Sequence, residues 1–357
     1  MIYVFTKYGR KGASSRVRFF QYFSHITPRF SISVNFLLDD LYLEKRYSNE
    51  RFDKLYLLFA FTLRIIAIVK LLFARRRHII WIEKELIPFF PSFFETLLFI
   101  RGHSIVVDFD DAEFHKYDQH RYFITRLLFG RKIQNVMRRS RMLLVGNDYL
   151  RDYALKSGVA NQNILIMPST VTTWHLRKKS SINQPFRVGW IGSPASAKYL
   201  LPIKDQINYL QKKGIEFRIV GAGQEIANRL GINCIEWSES VESTILDSLD
   251  VGIMPLPDSD WEKGKCAYKI LQYLSHSKPV IASPVGVNTL IVEHKVNGYL
   301  AYSDSDWVRY VLELKSNPAL AFEMGKAGNE KCREHYDKGA WGNLLRDIFI
   351  DLESEIN

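Results

Sequence analysis

Apolar and polar positions follow two alternating periods along this chain. Short, nearly unbroken apolar runs recur at residues 2–6, 32–38, 79–83, 104–109, 142–145 and 164–167. Runs of that length, bounded by turn residues, are expected to be buried strands. Stretches of helical spacing lie between them. Examples are the segment entered near Arg16, the basic stretch 131–141, and residues 149–156 behind a capping Asn147. The alternation resumes at 187–191, 217–220, 234–237, 250–254 and 280–282, and residues 340–356 form an amphipathic helix. Strands alternating with helices predict an α/β fold with mostly parallel sheets. Between the two series lies KKSSINQP, residues 178–185, which is polar, patternless and closed by proline, and is the expected linker.

The most sharply patterned unit is DVGIMPLPDSDWEKGKCAYKILQYLSHSKPVIASPVG, residues 250–286. Its first strand stops at Pro255 and Pro257. A polar loop, 258–264, carries Trp261 and Glu262. Cys266, Ile270, Leu271 and Leu274 then repeat at helical spacing, so a helix is expected from near Lys265. Such a helix presents free N–H groups at its start, and Lys265 and Lys269, four residues apart, add positive charge on one side. This is chemistry for a phosphate group. A solvated basic helix end would leave the same pattern.

Two further stretches carry candidate chemistry. The loop KYGRKGASS, residues 7–15, holds Gly9 and Gly12, with Ser14 or Ser15 as the expected N-cap of the next helix. A loop after a first strand is where open α/β sheets bind ligands. A plain turn with solvated Arg10, Lys11, Arg16 and Arg18 fits it equally. The run 104–109 ends in Asp108-Phe109-Asp110-Asp111, with His115 close behind. Carboxylates there suit a general base, hydroxyl acceptors or metal ligands. No second acidic cluster completes a metal site, so metal is set aside. Helix capping by Asp110 or Asp111 is the plainer alternative.

Residues 55–74 are apolar except for Thr62, Arg64 and Lys70, and they run into Arg75-Arg76-Arg77-His78. The length would span a bilayer. Charges near the middle and strands on both sides favour a helix lying against a membrane surface, or one buried in the core. Phe89, Phe90, Phe93 and Phe94 extend the apolar character.

Composition changes this picture in three ways. With 357 residues the chain has room for two domains. Lys and Arg number 49 against 38 Asp and Glu, a net charge of +11, which favours anionic partners. Nucleic acid would want basic residues interleaved with exposed aromatics on one face; here the basic residues sit at loop and helix ends. The three widely spaced cysteines form neither a metal pattern nor a disulfide framework, so a reducing cytoplasm is expected. The opening MIYVFTKYGR reads as a strand rather than a signal peptide. The Gly221-Ala222-Gly223 turn is followed by Ile226, which does not continue a nicotinamide fingerprint.

The pieces VGWIGSPASAKYL, RIVGAG, DVGIMPL, GKCAYKILQYLS, KPVIASPVGVN and VNGYLA resemble the sugar-nucleotide domain of retaining glycosyltransferases of family 4. SSRVRFFQYF, VVDFDDAEF and VGNDYLRDYA are similar to the other half of that family. The resemblance implies the GT-B fold: two Rossmann-like domains facing across a cleft, with the C-terminal helix crossing back. The expected division is an acceptor-binding, membrane-facing domain at 1–177, the linker 178–185, a sugar-nucleotide domain at 186–338 and a returning helix at 339–357.

The same resemblance implies site roles. Gly192, Ser193, Lys198, Lys265, Cys266, Ala267, Tyr268 and Lys269 would hold the donor diphosphate. A family arginine falls at Ser193, so Lys198 would supply that charge. Gly221, Ile235, Glu236 and Trp237 would lie at the base and ribose. The family's two glutamates fall at Gly264 and Gln272, leaving Gln272 for a ribose hydroxyl and Glu262 for the sugar. Gly12, Ser14, Ser15, Arg16, Asp110 and Asp111 would face the acceptor. Asp110, Lys198 and Lys269 are the expected catalytic groups. The implied partners are a nucleoside diphosphate sugar, a glycan or lipid-linked acceptor, and the inner face of an anionic membrane, with no cofactor or metal. The implied activity is hexosyl transfer with retention in surface polysaccharide synthesis. A silent sugar-nucleotide binder, or a nucleotide-sugar epimerase of the same fold, shares these features.

Overall fold

The computed structural model describes residues 1–47, 54–173 and 184–356. Its chain forms two compact units. The first comprises 1–169, 263–266 and 338–357; the second comprises 170–262 and 267–337. The segment 263–266, expected within the second domain, thus belongs to the first unit. Most of the expected linker, residues 178–183, lies outside the described residues.

The first unit is built on six parallel strands: β1 (Ile2–Tyr8), β2 (Ile32–Leu38), β3 (Ile79–Glu83), β4 (Ser104–Phe109), β5 (Met142–Val145) and β6 (Ile164–Ile166). Their order is β2-β1-β3-β4-β5-β6. The central strands β3 and β4 are buried along their whole length, which is why they lack polar alternation. The strand order reverses between β1 and β3, the place where an open sheet leaves room for a ligand at its carboxyl edge.

One face of this sheet is closed by the last helix, Lys338–Ile356. Its Leu345, Phe349 and Leu352 join Ile2, Val4, Phe19, Tyr22 and Trp81 in one apolar cluster. Phe349 meets the Trp81 ring edge-on at 5.3 Å. The opposite face is covered in part by the helix Lys54–Leu72, of which only Arg64, Ile68 and Leu71 are buried. That helix is long and apolar enough to cross a membrane by length and composition, yet most of its surface is uncovered. It is not a buried core helix.

The second unit carries β7 (Phe186–Ile191), β8 (Ile215–Val220), β9 (Cys234–Ile235), β10 (Val251–Met254), β11 (Val280–Ala282) and β12 (Gly298–Leu300). Their order is β12-β11-β10-β7-β8-β9, again all parallel. The reversal here falls between β7 and β10. Gly252 in β10 lets the ring of Tyr273 lie flat on the sheet, and Tyr273 Oη accepts from Ile191 N at 3.0 Å. This fixes the helix Tyr268–Ser275 beneath the end of β7.

Candidate active site

The helix expected from Lys265 begins three residues later. Ala267 precedes it with φ of 50°, a left-handed conformation that a non-glycine residue adopts at a cost. The turn separates the residues expected to act together. Lys269 stays in the second unit, while Lys265 and Cys266 fold with the first.

In the second unit, Lys269 sits at the carboxyl end of β7. Its Nζ lies 3.0 Å from Ser196 Oγ and 4.2 Å from the centre of the Trp190 ring. A Cβ on Gly192 would come within 2.5 Å of the same amine, so glycine is what admits the lysine. Ser196 in turn closes a capping box with Ser193 at the start of Pro194–Ala197. Gly221 follows β8 with φ of 71°, and a Cβ there would collide with the Gly192 carbonyl and lie 3.2 Å from Trp237 Cβ. Gly192, Ser193, Ser196, Gly221, Trp237 and Lys269 therefore form one surface at the strand-order reversal.

Gln272, three residues after Lys269, is buried and donates to Glu242 Oε1 at 2.6 Å. The Trp237 indole donates to Glu242 Oε2, also at 2.6 Å. Glu242 was not singled out in the sequence, because it lies in Glu239–Ser248, outside every motif. Ile235 hydrogen-bonds Gly221 through its carbonyl at 2.9 Å, whereas Glu236 is exposed. Lys198 is also exposed and lies over the Tyr199 ring. Glu262 is buried, and both its oxygens are engaged, by Tyr199 Oη and Ser259 Oγ.

In the first unit the carboxylates after β4 separate into two roles. Asp108 is buried against Arg18, with Oδ1 and Oδ2 at 2.7 and 3.0 Å from the guanidinium, and Arg18 also donates to the Met167 carbonyl. Arg18, solvated in the plain-turn reading, is thus a core cation. Asp110 instead forms an ion pair with Lys84 Nζ at 2.8 Å, and Asp111 lies 3.5 Å from both Lys84 and Lys265. Burial acts to raise the Asp110 pKa, but Lys84 and a hydrogen bond from Ser14 outweigh it and hold it at about 2. A carboxylate so acidic is a poor general base at neutral pH. Its chemistry here is to accept hydrogen bonds. His115 points elsewhere, bonding Asp118 at 2.9 Å and Tyr149 Oη at 2.7 Å.

The helix after β1 starts at Ala13, with Gly12 rather than a serine at the N-cap. Ser15 is fully buried and donates to Glu83 Oε2 at 2.6 Å, so it supports the site without facing a ligand. Arg16 is buried beside it. A small cavity opens at the β1–β3 reversal, lined by Thr6, Lys7, Arg64, Glu83, Lys84 and Glu113 among others. Sequence reading missed Lys84 and Glu113, although Glu83-Lys84-Glu85 at a strand end was a visible signal.

The Cys266 side chain is taken up by the first unit's core. Its thiol is buried, donates toward the Asp110 carbonyl at 3.0 Å, and is pushed well up in pKa by burial and by Asp110. Asn147 fixes this loop by donating to the Lys265 carbonyl at 3.0 Å. Gly264, where a family glutamate would fall, packs on Ala112. A Cβ there would lie 2.6 Å from Ala112 Cβ and 2.7 Å from its nitrogen, so a side chain is excluded.

Residues 185–317 match the model of the family described as glycosyl transferases group 1. No curated protein sequence matches the chain. Among solved structures, HepE of Anabaena, in complex with UDP, is 13% identical over 98% of this chain and 99% of its own, with a TM-score of 0.67. WaaG, a glycosyltransferase involved in lipopolysaccharide biosynthesis, is 13% identical over 98% and 99%, with a TM-score of 0.68. TarM is 16% identical, with a TM-score of 0.57 over 76% of this chain; the chain spans 54% of TarM. The fold is GT-B, and the chain resembles the glycosyltransferases that share it.

Proposed function

We propose that this chain, carrying a group 1 glycosyltransferase match on its second unit, moves a sugar from a nucleoside diphosphate sugar to an acceptor hydroxyl. The observation that carries the reading is the Lys269 surface. A cation, two serines and a side-chain-free glycine meet at the carboxyl edge of β7, where the strand order reverses. A diphosphate leaving group gains negative charge as its bond to the sugar breaks. Lys269 would stabilise that charge at the reaction's summit, the largest single effect available to such a site.

Transfer with retention fits the groups present. The acceptor oxygen bonds to the anomeric carbon on the face from which the diphosphate departs, and its proton passes to the departing phosphate oxygen. No protein base is required, which agrees with an Asp110 held ionised by Lys84. Asp110, Asp111 and Lys84 would instead orient acceptor hydroxyls.

The acceptor is proposed to lie at a membrane. Leu55, Leu58, Phe59, Leu63 and Phe73 are exposed, and Arg75, Arg76 and Arg77 follow directly. Phe93, Phe99 and Ile100 add to this face through the helix Phe93–Ile100, whose following Arg101 donates to the Leu72 carbonyl at 3.2 Å. The helix Phe123–Phe129, unremarked in the sequence, exposes Phe123, Ile124, Leu127 and Leu128. Apolar surface of this extent beside arginines suits an anionic lipid interface on the cytoplasmic side. A glycan on a lipid carrier, or a growing surface polysaccharide, is the acceptor class that meets both features.

The test is a thermal-shift screen of UDP-, GDP-, ADP- and TDP-sugars followed by product analysis. A donor that raises the melting temperature and yields a product of unchanged anomeric configuration supports the reading. Donor binding without transfer or hydrolysis supports the silent binder, which the loss of a side chain at Gly264 favours.

A further inference from the structure

We infer that Glu242 recognises the vicinal hydroxyls of the donor's ribose, taking over a task that Gln272 cannot perform alone. The inference rests on the sugar-nucleotide reading above. It begins with the order of groups on the helix Tyr268–Ser275. Lys269 and Gln272 are three residues apart, so they share a helix face with a rise of about 4.5 Å between them. A nucleoside diphosphate places its ribose directly beyond the phosphates. A group one helical turn past the phosphate cation is therefore at ribose distance.

Gln272 is not what that surface offers. Its amide nitrogen is already given to Glu242 Oε1 at 2.6 Å. The second oxygen of Glu242 is held by the Trp237 indole at 2.6 Å. Two uncharged donors from two elements thus fix the plane of one carboxylate. Trp237 ties this group to the phosphate surface. Its Cβ lies 3.2 Å from where a Gly221 side chain would start, and that same position abuts the Gly192 carbonyl. The path from Lys269 through Gly192 and Gly221 to Trp237 and Glu242 is continuous.

The chemistry selects a diol. An ionised carboxylate only accepts hydrogen bonds, and its two oxygens match two adjacent hydroxyl donors. It would repel a phosphate, and it offers no donor to a base carbonyl. Glu242 also lies in the first turn of its helix, where negative charge is favoured, and Ser238 caps that turn through Val241 N. This steadies the carboxylate but does not explain its place beside Gln272 and Trp237.

The experiment measures calorimetric binding of UDP, GDP and ADP, each against its 2′-deoxy counterpart, to the full chain. The wild type is expected to favour the ribo form of its nucleotide by about tenfold or more, as when a buried polar partner is lost. Glu242→Gln should bring the ratio to within about twofold, because the amide nitrogen it introduces cannot accept a hydroxyl. The exchange Glu242→Gln with Gln272→Glu should restore most of the preference, because it returns a carboxylate to the same spot. A purely structural role would weaken binding of both forms equally and leave the ratio unchanged. An unchanged ratio in Glu242→Gln overturns the assignment while the donor reading stands. Failure of the wild type to bind any nucleoside diphosphate overturns both.

Discussion

Replacing Lys84 with methionine tests the electrostatics of the first unit most directly. Lys84 is nearly buried, adopts a φ of 63°, and pairs with Asp110 at 2.8 Å. Burial alone would push the Asp110 pKa above its ordinary 3.8; Lys84 and Ser14 bring it to about 2. A depression from 3.8 to about 2 corresponds to roughly 2 kcal/mol of native-state stability at neutral pH. Because the folded value is the lower one, this contribution is complete above pH 4 and disappears as pH falls toward 2. Lys84→Met should therefore cost about 3–5 kcal/mol at pH 7, the range for stranding one member of a buried ion pair. About half of the Asp110 share should remain at pH 3. Urea melts at the two pH values supply the numbers, with Asp110→Asn in both backgrounds to isolate the pair. Asp110→Asn should recover part of the loss in the Lys84→Met chain. A variant within about 0.5 kcal/mol of wild type at pH 7, or a deficit identical at pH 3, would refute the argument.

Three other outcomes are expected. Lys269→Ala should reduce turnover by about 10²–10³ without lowering the melting temperature, whereas Lys198→Ala should cost far less, because Lys198 is exposed while Lys269 is held against Ser196 and Trp190. Steady-state rates with the donor identified by thermal shift separate the two. Gly264→Glu, which restores a family residue, should lower stability by at least 1 kcal/mol and gain no activity, since Ala112 occupies the needed space. Phe59→Asp combined with Leu127→Asp should weaken sedimentation with anionic liposomes while leaving soluble donor hydrolysis unchanged, because both residues are solvent-exposed.

Much of the architecture was legible because buried parallel strands cannot alternate. Residues 79–83 and 104–109 announced themselves as continuous apolar runs, and both are fully buried strands. The cap at Asn147 was legible too, and its side chain does accept from Leu150 N at 3.0 Å. Of the second unit's surface, Gly192, Ser193, Gly221, Trp237 and Lys269 were legible, the glycines because each marks a close approach. The start of the helix at 265–268 was misread because periodicity carries no trace of a left-handed residue at Ala267. Cys266 kept the helical spacing yet packs with the first unit's core. Glu242, Lys84 and Glu113 escaped notice for a different reason. Glu242 meets Gln272, Lys84 meets Asp110 and Glu113 meets Lys7 across different elements, so only the fold brings these pairs together. Arg18 was solvated in the plain-turn reading and Arg64 was noted only as a charge within an apolar stretch, and burial with carbonyls and aromatic rings as neighbours could not be anticipated from composition.

The helix Lys338–Ile356 imposes an order on biosynthesis. Trp81, Phe19 and Ile2 wait for Phe349 and Leu345 to arrive before their cluster is closed. A nascent chain that has left the ribosome as far as residue 177 thus displays an unsealed sheet face throughout synthesis of the second unit. Removing the final twenty residues would consequently injure the half translated first and spare the half translated last, and limited proteolysis of such a truncation would cut preferentially before residue 170.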